Sequence, residues 1–127
     1  MELVTPDLEL ILPGRIFDRL KTKYARLFTS RAAPADLGGR PVVVLHQEGG
    51  LSKNRLLDQV RIAVDVYAAT ESQANSLALD ARAVLEAQQG HDPVISIETT
   101  GPSVITDSGK GPQRRFYADV LTRRKVL

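Results

Sequence analysis

Few residues of this sequence have the types and spacing that enzyme chemistry requires. The two histidines, His46 and His91, belong to no spaced ligand pattern such as His-Glu-x-x-His, so each is interpreted as a solvated surface residue. Asp58 and Asp65 lie seven residues apart on one predicted strand, so their carboxylates point to opposite faces and do not form a paired acid and base. Cysteine is absent, which excludes a thiol nucleophile and a cysteine-ligated zinc site. The sequence lacks the patterns of reactive residues that catalysis requires, which predicts a protein that is not an enzyme.

The glycine-containing segments do not match a phosphate-binding loop. Gly38-Gly39 and Gly109-Lys110-Gly111 lack the strand-to-helix context and the spacing of such loops. No Gly-x-Ser-x-Gly nucleophile elbow occurs either. We therefore expect no cofactor and no metal.

Charged residues of both signs cluster along the middle of the chain. One predicted strand and its start alternate arginine with acid, through Arg55, Asp58, Arg61 and Asp65. This pattern predicts either a solvated face with local ion pairs or a subunit interface in which opposite charges set the register. The loop before this strand is long for a simple connection, so we expect it to contact a partner. Its candidate contact residues are Glu48, Gly49, Gly50 and Lys53.

The last predicted strand and its end are strongly basic. The cations are Arg114, Arg115, Arg123, Arg124 and Lys125, against the single acid Asp119. Such a cluster can contact phosphates, pair with an acidic protein surface, or protect a sheet edge from unwanted pairing. Too few aromatic residues accompany it to form a stacking platform for single-stranded nucleic acid, which favours edge protection or protein contact.

Two helical regions are predicted to support these strands. Near the N-terminus, Thr5 fits an N-cap, Pro6 fits the first helical position, and Pro13-Gly14 should end or kink the helix. A second amphipathic stretch then begins at Ile16. Farther on, Thr70-Glu71-Ser72-Gln73 matches a capping box. The apolar stripe that follows it consists of Ala74, Leu77, Ala78, Ala81, Val84 and Leu85.

The strand predictions rest on residue alternation and on β-branched residues. Strands are expected at 24–30, 41–47, 60–67, 93–100 and 115–124. Turns or loops are expected at 31–40, 48–50 and 101–111. This order predicts an α+β fold of one domain, residues 1–127, with one mixed or antiparallel sheet of four to five strands and its helices packed on one face.

Composition excludes several broad classes. Seventeen Lys and Arg face fifteen Asp and Glu, a net charge of +2, which is too small an excess to indicate general nucleic-acid affinity. No apolar run approaches the roughly 20 residues that span a bilayer. The N-terminus is acidic where a signal peptide would be basic, which favours a protein made and kept in a cytoplasm.

The order of these segments resembles that of tail terminator proteins of long-tailed bacteriophages. The resemblance covers nearly the whole chain and depends on pattern and order, with no catalytic motif. The matching segments are Thr5–Glu9, Arg40–Val44, Gly49-Gly50, Asp58, Val60–Ala68, Thr70–Leu85, Gly101-Pro102 and Arg115–Arg123. The resemblance implies a long first helix, which Pro13-Gly14 is expected to interrupt.

The resemblance implies a structural virion protein that assembles as a hexameric ring without a cofactor. Such a ring caps the major tail tube protein, ends tail polymerisation and offers the docking surface for the head connector or stopper protein. DNA passes through its central hole. The implied location is the tail and neck of the virion, after assembly in the host cytoplasm.

Two alternatives remain open at this point. One is a head-completion or stopper protein of the head–tail connector. The other belongs to a different class, a small nucleic-acid-binding module that uses the basic residues from Arg114 to Lys125.

Overall fold

Two helices and seven strands occur in the computed structural model, which describes residues 1–106 and 108–127. Their order is β1 (Leu3–Val4), α1 (Leu8–Leu20), β2 (Phe28–Ser30), β3 (Val42–Ser52), β4 (Leu57–Tyr67), α2 (Glu71–Glu86), β5 (Val94–Ile105), β6 (Gln113–Arg123) and β7 (Lys125–Val126). None of the helices in the described residues has the length and apolar character needed to cross a membrane.

Five strands form one mixed sheet in the order β2-β3-β4-β6-β5. Strand β2 runs parallel to β3, and the other neighbours are antiparallel. The predicted α+β class and the mixed sheet are confirmed. A second sheet of two strands, β1 and β7, was not predicted, because two-residue strands have no detectable alternation.

Alternation on the three central strands builds most of the core. On β4, the residues Val60, Ile62, Val64 and Val66 are buried in one cluster, as the sequence predicts. On β6, Phe116, Ala118 and Val120 join the same cluster. This cluster also contains buried residues of β3, β5 and both helices. The apolar residues that repeat every two positions on the strands thus meet those that repeat every 3.6 positions on the helices in one main core.

Helix α1 continues through Pro13 to Leu20, so the helix does not end at Pro13-Gly14, one of the two outcomes predicted there. Proline in a helix interior removes one hydrogen bond and costs about 3 kcal/mol. Four side chains at helical spacing are fully or almost fully buried, and each contributes about 1.5–3 kcal/mol, which outweighs that cost. They are Leu8, Leu12, Ile16 and Leu20.

The start of α1 also differs from the prediction. The N-cap residue is Asp7 rather than Thr5, and its side chain makes no capping hydrogen bond. The hydroxyl of Thr5 instead donates to the carboxylate of Asp58 on β4. A contact between residues far apart in the sequence has replaced the local cap, which no local pattern could reveal.

Helix α2 agrees with its predicted start and stripe. Thr70 is the N-cap, and its hydroxyl accepts from the backbone N–H of Gln73 at 3.1 Å. All six residues of the predicted stripe are buried. A local cap and a continuous amphipathic pattern are sufficient here because nothing in the tertiary structure competes with them.

Strand β3 is longer than predicted, so the turn expected at Glu48-Gly49-Gly50 is wrong. The strand runs on to Ser52, with a register shift between Gln47 and Gly49 opposite β4. Gly49 has a φ of +125°, which glycine adopts readily, so it fits the bulge rather than a hairpin turn. The chain reverses four residues later, between Ser52 and Leu57.

The bounds of two further strands also differ from the prediction. Strand β2 covers only the last three residues of the predicted 24–30 segment. Strand β5 continues through the predicted 101–111 loop as far as Ile105, so that part of the loop prediction is wrong; Asp107 of that loop lies outside the described residues. A register shift between Val94 and Ser96 places both Val94 and Ile97 in the core.

A smaller core lies on the opposite face of β3. Val42 and Val44 point away from their neighbours Val43 and Leu45, and they pack with Leu37 and Tyr67. Residues 31–40, predicted as a loop, contain no helix or strand, and Leu37 from this segment covers that part of the sheet.

Candidate interaction surface

The outer halves of β3 and β4 form a hairpin whose tip is residues 53–56. Residues 47–56 are all exposed, and they include residues 48–50, where a turn was expected. The small sheet of β1 and β7 meets this tip. We call residues 51–58, the N-terminal residues 1–5 and the C-terminal residues 123–127, which include β1 and β7, the hairpin end.

Hydrogen bonds connect the two chain termini to the tip and to each other. The N–H of Arg124 donates to the carbonyl of Leu56 at 2.9 Å, and the guanidinium of Arg55 donates to the carbonyl of Met1 at 3.1 Å. The N–H of Leu127 donates to the carbonyl of Glu2 at 3.0 Å. The first, middle and last parts of the sequence therefore form one surface.

A buried carboxylate holds these parts together. Asp58 accepts from Arg124 at 2.8 Å and from the hydroxyl of Thr5, and Arg124 also donates to Ser52 at 2.6 Å. The hydrogen bond from Arg124 is the largest cause that lowers the pKa of Asp58 below its ordinary value, and the Thr5 bond adds to it. The network joins the residue after β1, the end of β3, the start of β4 and the residue between β6 and β7.

The hairpin end exposes many apolar side chains. Of the nine large apolar side chains that are exposed in the described part of the chain, five belong to the hairpin and the termini. They are Met1, Leu51, Leu56, Val126 and Leu127. Leu56 is 60% exposed and Val126 is 63% exposed. An exposed apolar cluster surrounded by polar residues is typical of a surface that binds another protein.

A cavity of about 400 Å³ lies within this surface, and its walls combine apolar and basic residues. The apolar part comes from Leu3, Leu56, Ile95 and Val126, and the basic part comes from residues 123–125. Apolar walls provide contact area, and cations at the rim favour an acidic partner.

The predicted contact residues before the tip lie on β3. Glu48 is the extra residue of the bulge and Gly49 comes directly after it. A carboxylate oxygen of Glu48 lies 3.9 Å from Nε2 of His46. Gly50 faces the backbone of β4 so closely that a Cβ there would lie 3.0 Å from the carbonyl oxygen of Gln59. Lys53 and Arg55 lie at the tip itself.

Asp65 and Arg115 lie far from the hairpin end, at the other end of β4 and β6. They face each other across the two strands, and Arg115 donates to both carboxylate oxygens, at 2.7 and 3.1 Å. Gln113 donates to the same carboxylate at 2.9 Å. The side chain of Asp65 is only 6% exposed. The pairing with this acid raises the pKa of the Arg115 guanidinium.

The remaining predicted residues make separate contacts. Arg114 pairs with Glu71 at the start of α2, and Arg123 pairs with Asp92 at 3.3 Å. Arg61 lies over the ring of Tyr117, with its guanidinium carbon 4.3 Å from the ring centre. The structure thus brings Lys53, Arg55, Asp58, Arg123 and Arg124 together at the hairpin end and places Arg61, Asp65, Arg114 and Arg115 elsewhere.

The apolar members of the hairpin end were not selected from the sequence. Leu51 lay in the loop expected before the charged strand, and Leu56 lay among the charged residues at the start of that strand. The terminal residues carried no periodic signal. An apolar residue beside glycine, asparagine and lysine, as in Leu51-Ser52-Lys53-Asn54, is the signal that could have indicated an exposed contact.

No protein-family model matches the chain, and no curated protein is significantly similar to it. Within residues 1–106 and 108–127, no group of three or more histidine, aspartate and glutamate side chains is arranged to hold a metal ion.

Proposed function

We propose that this chain is a structural protein of a bacteriophage virion, a tail terminator that forms a closed ring at the end of the tail tube. The ring stops tube polymerisation and provides the surface on which the head connector docks. The protein performs no chemistry in this role. Its partners are other copies of itself, the major tail tube protein and the connector or stopper protein, and DNA passes through the ring.

The observation that carries the proposal is the hairpin end. It is exposed, it combines apolar side chains with cations, and the hydrogen bonds of the Asp58 network join its parts. A protein that works by contact needs such a preformed surface, because binding then costs less conformational entropy.

The fold also suits assembly by rotation around an axis. A ring requires two different surfaces on each subunit, one for each neighbour. The five-stranded sheet ends in two different edge strands, the short β2 and the longer β5. In the proposed arrangement both helices cover one face of the sheet, which the shared core of α1, α2 and the central strands supports. The neighbouring subunits of the ring contact the remaining surfaces.

Substitution in the hairpin end tests whether this surface mediates assembly. Leu56→Asp places a charge on an apolar side chain that is 60% exposed, so we expect the monomer to fold and ring or tube attachment to be lost. Leu79→Asp is the matched control, because Leu79 is exposed on α2, away from the hairpin. Native mass spectrometry and negative-stain images of the protein, alone and with tail tubes, provide the measurement.

The result that would contradict the proposal is equally specific. If the wild-type protein stays monomeric both alone and beside purified tail tubes, the ring proposal is wrong. If the Leu56→Asp and Leu79→Asp variants both assemble as well as the wild type, the protein forms a ring but the hairpin end is not its contact surface. Copurification with headless tails supports the terminator, whereas copurification with tailless heads would assign the protein to the connector side.

A further inference from the structure

A second cleft lies on the other side of the molecule, beside the turn after α1. Its volume is about 460 Å³, and its walls come from four segments: residues 23–26, residues 39–41, residues 68–69 after β4, and Gln73 in the first turn of α2. Three of its lining residues are cations, Lys23, Arg26 and Arg40, and none is an acid. None of the predicted contact residues lines it.

Two of the three cations have no acidic partner among residues 1–106 and 108–127. Lys23 pairs with Asp80 at 2.7 Å, so part of its charge is compensated within the chain. Across the described part of the chain, neither Arg26 nor Arg40 forms an ion pair. Most arginines on β6, by contrast, are paired with carboxylates. The positive charge of this cleft is therefore open to a ligand.

Arg40 is held in place but keeps an unsatisfied donor. Its guanidinium carbon lies 4.6 Å from the centre of the Phe28 ring, which fixes the plane of the group. Its Nε is buried and has no hydrogen-bond partner among the described residues. Because that atom is buried, it does not face the cleft. The two Nη groups of Arg40 are not buried and make no hydrogen bond among the described residues, so they are the donors that an anion in the cleft can reach.

Arg26 is held by an uncommon backbone conformation. Its φ is +62°, and it is the one residue other than glycine with a positive φ in the described chain. Its guanidinium Nη2 lies 3.9 Å from the point where a Cβ on Gly38 would stand, so it lies against the Gly38-Gly39 turn. A non-glycine residue in this region is strained, and such strain is common at binding sites.

From these observations we propose that the cleft binds the phosphate group of a small molecule, with Arg26 and Arg40 as the principal ligands. A guanidinium group binds phosphate through paired N–H donors. Two guanidinium groups and the side-chain amide of Gln73 together offer more donors than the two oxygens of a carboxylate can accept, and a phosphate group has more oxygens to accept them. The proposal is independent of ring formation and goes beyond it.

The shape of the site favours a small ligand over a nucleic-acid backbone. A volume of about 460 Å³ is within the range of small-molecule pockets. A duplex is bound by cations spread along its backbone, with several phosphates neutralised at once. The unpaired cations of this cleft converge instead on one concavity, beside the apolar residues Ala68 and Ala69.

Isothermal titration calorimetry on the full chain tests the proposal. The probes are inorganic phosphate, pyrophosphate, acetate and a duplex oligonucleotide, at one ionic strength balanced with sodium chloride. We expect phosphate and pyrophosphate to bind, and Arg40→Met and Arg26→Met each to weaken pyrophosphate binding about tenfold or more.

Arg61→Met is the matched control. It also removes a guanidinium from an aromatic ring, at 4.3 Å from Tyr117, but it lies outside the cleft, so pyrophosphate should bind to this variant as to the wild type. If Arg40→Met does not fold, Arg26→Met decides the question, because Arg26 is an exposed turn residue.

Four results would overturn the proposal. One is no heat of binding from phosphate or pyrophosphate up to about 10 mM. Others are unchanged binding in Arg26→Met, or acetate binding as tightly as phosphate, which would indicate a carboxylate site. Binding of the duplex without binding of either small probe would also contradict it.

Discussion

The four arginines between residues 114 and 124 are each paired with a carboxylate of the same chain. Their partners are Glu71, Asp65, Asp92 and Asp58. The pairs differ widely in burial: Asp65 is 6% exposed and Asp92 is 79% exposed. Water screens the attraction between the charges of an exposed pair. Arginine–carboxylate pairs of the same residue types should therefore contribute very differently to the free energy of unfolding, according to their burial.

The Asp65–Arg115 pair tests this difference. Asp65→Ala should lower the free energy of unfolding by about 2–3 kcal/mol, since it leaves Arg115 and the amide of Gln113 without their shared acceptor. Asp92→Ala breaks an exposed pair and should change it by less than about 0.5 kcal/mol. Urea denaturation of both variants gives the comparison, and equal losses would contradict it.

The Asp58 network should make stability depend on pH. Its pKa is lowered in the folded protein, so its contribution is present above the unfolded value of about 3.9 and is lost as the pH falls through the lower folded value. Asp58→Asn should therefore lower the urea midpoint at pH 7. The gap to the wild type should close as the pH falls below about 4. A gap that stayed constant from pH 7 to pH 3 would show that the charge of Asp58 is not involved.

At the scale of elements, the sequence predicted the type of most helices and strands but not their ends. The period-two pattern of β4 and the capping box of α2 were correct because burial and local preference agree there. Pro13 and Gly49-Gly50 were misread as stops. Burial of four α1 side chains outweighs the free-energy cost of the proline, and a bulge in β3 accommodates Gly49. Both effects depend on contacts with distant parts of the chain, so a short stretch of sequence does not reveal them.

Two glycines of these elements give opposite predictions. Gly14 is exposed within α1, and a Cβ there would meet nothing within 4 Å, so Gly14→Ala should stabilise the protein by about 0.5–1 kcal/mol. Gly101 has a φ of +107°, and a Cβ there would lie 3.1 Å from Arg115 and Phe116, so Gly101→Ala should destabilise it. Thermal unfolding measures both, and a destabilised Gly14→Ala would mean that the helix near Pro13 departs from regular geometry.

At the scale of the whole molecule, the hairpin end could not be predicted, because it is assembled from three distant parts of the sequence. Strand pairing between Leu3 and Val126 and the contact from Arg55 to Met1 bring them together. The sequence identified several of the charges involved, including Lys53, Arg55 and Arg124. It did not identify the apolar side chains, because their exposure depends on which parts of the folded chain pack over them.

The same whole-molecule view bears on nucleic-acid binding. The basic residues from Arg114 to Lys125 would support a DNA-binding module only if their charges were available, and four of the five are paired within the chain. Each phosphate contact adds about 0.9 to the slope of log K against log salt concentration, so we expect the slope for duplex DNA to stay below about 2. Fluorescence anisotropy across a salt series measures it.

A variant that releases two of these arginines provides the control for that slope. Glu71→Gln with Asp92→Asn removes the partner charges of Arg114 and Arg123 and leaves every cation in place. If pairing is what withholds the arginines from phosphate, the slope should become steeper by up to about 2 in this variant. A wild-type slope of about 4 or more would mean that the pairs open readily on DNA, and the binding module would then be favoured over a protein that works only through protein contacts.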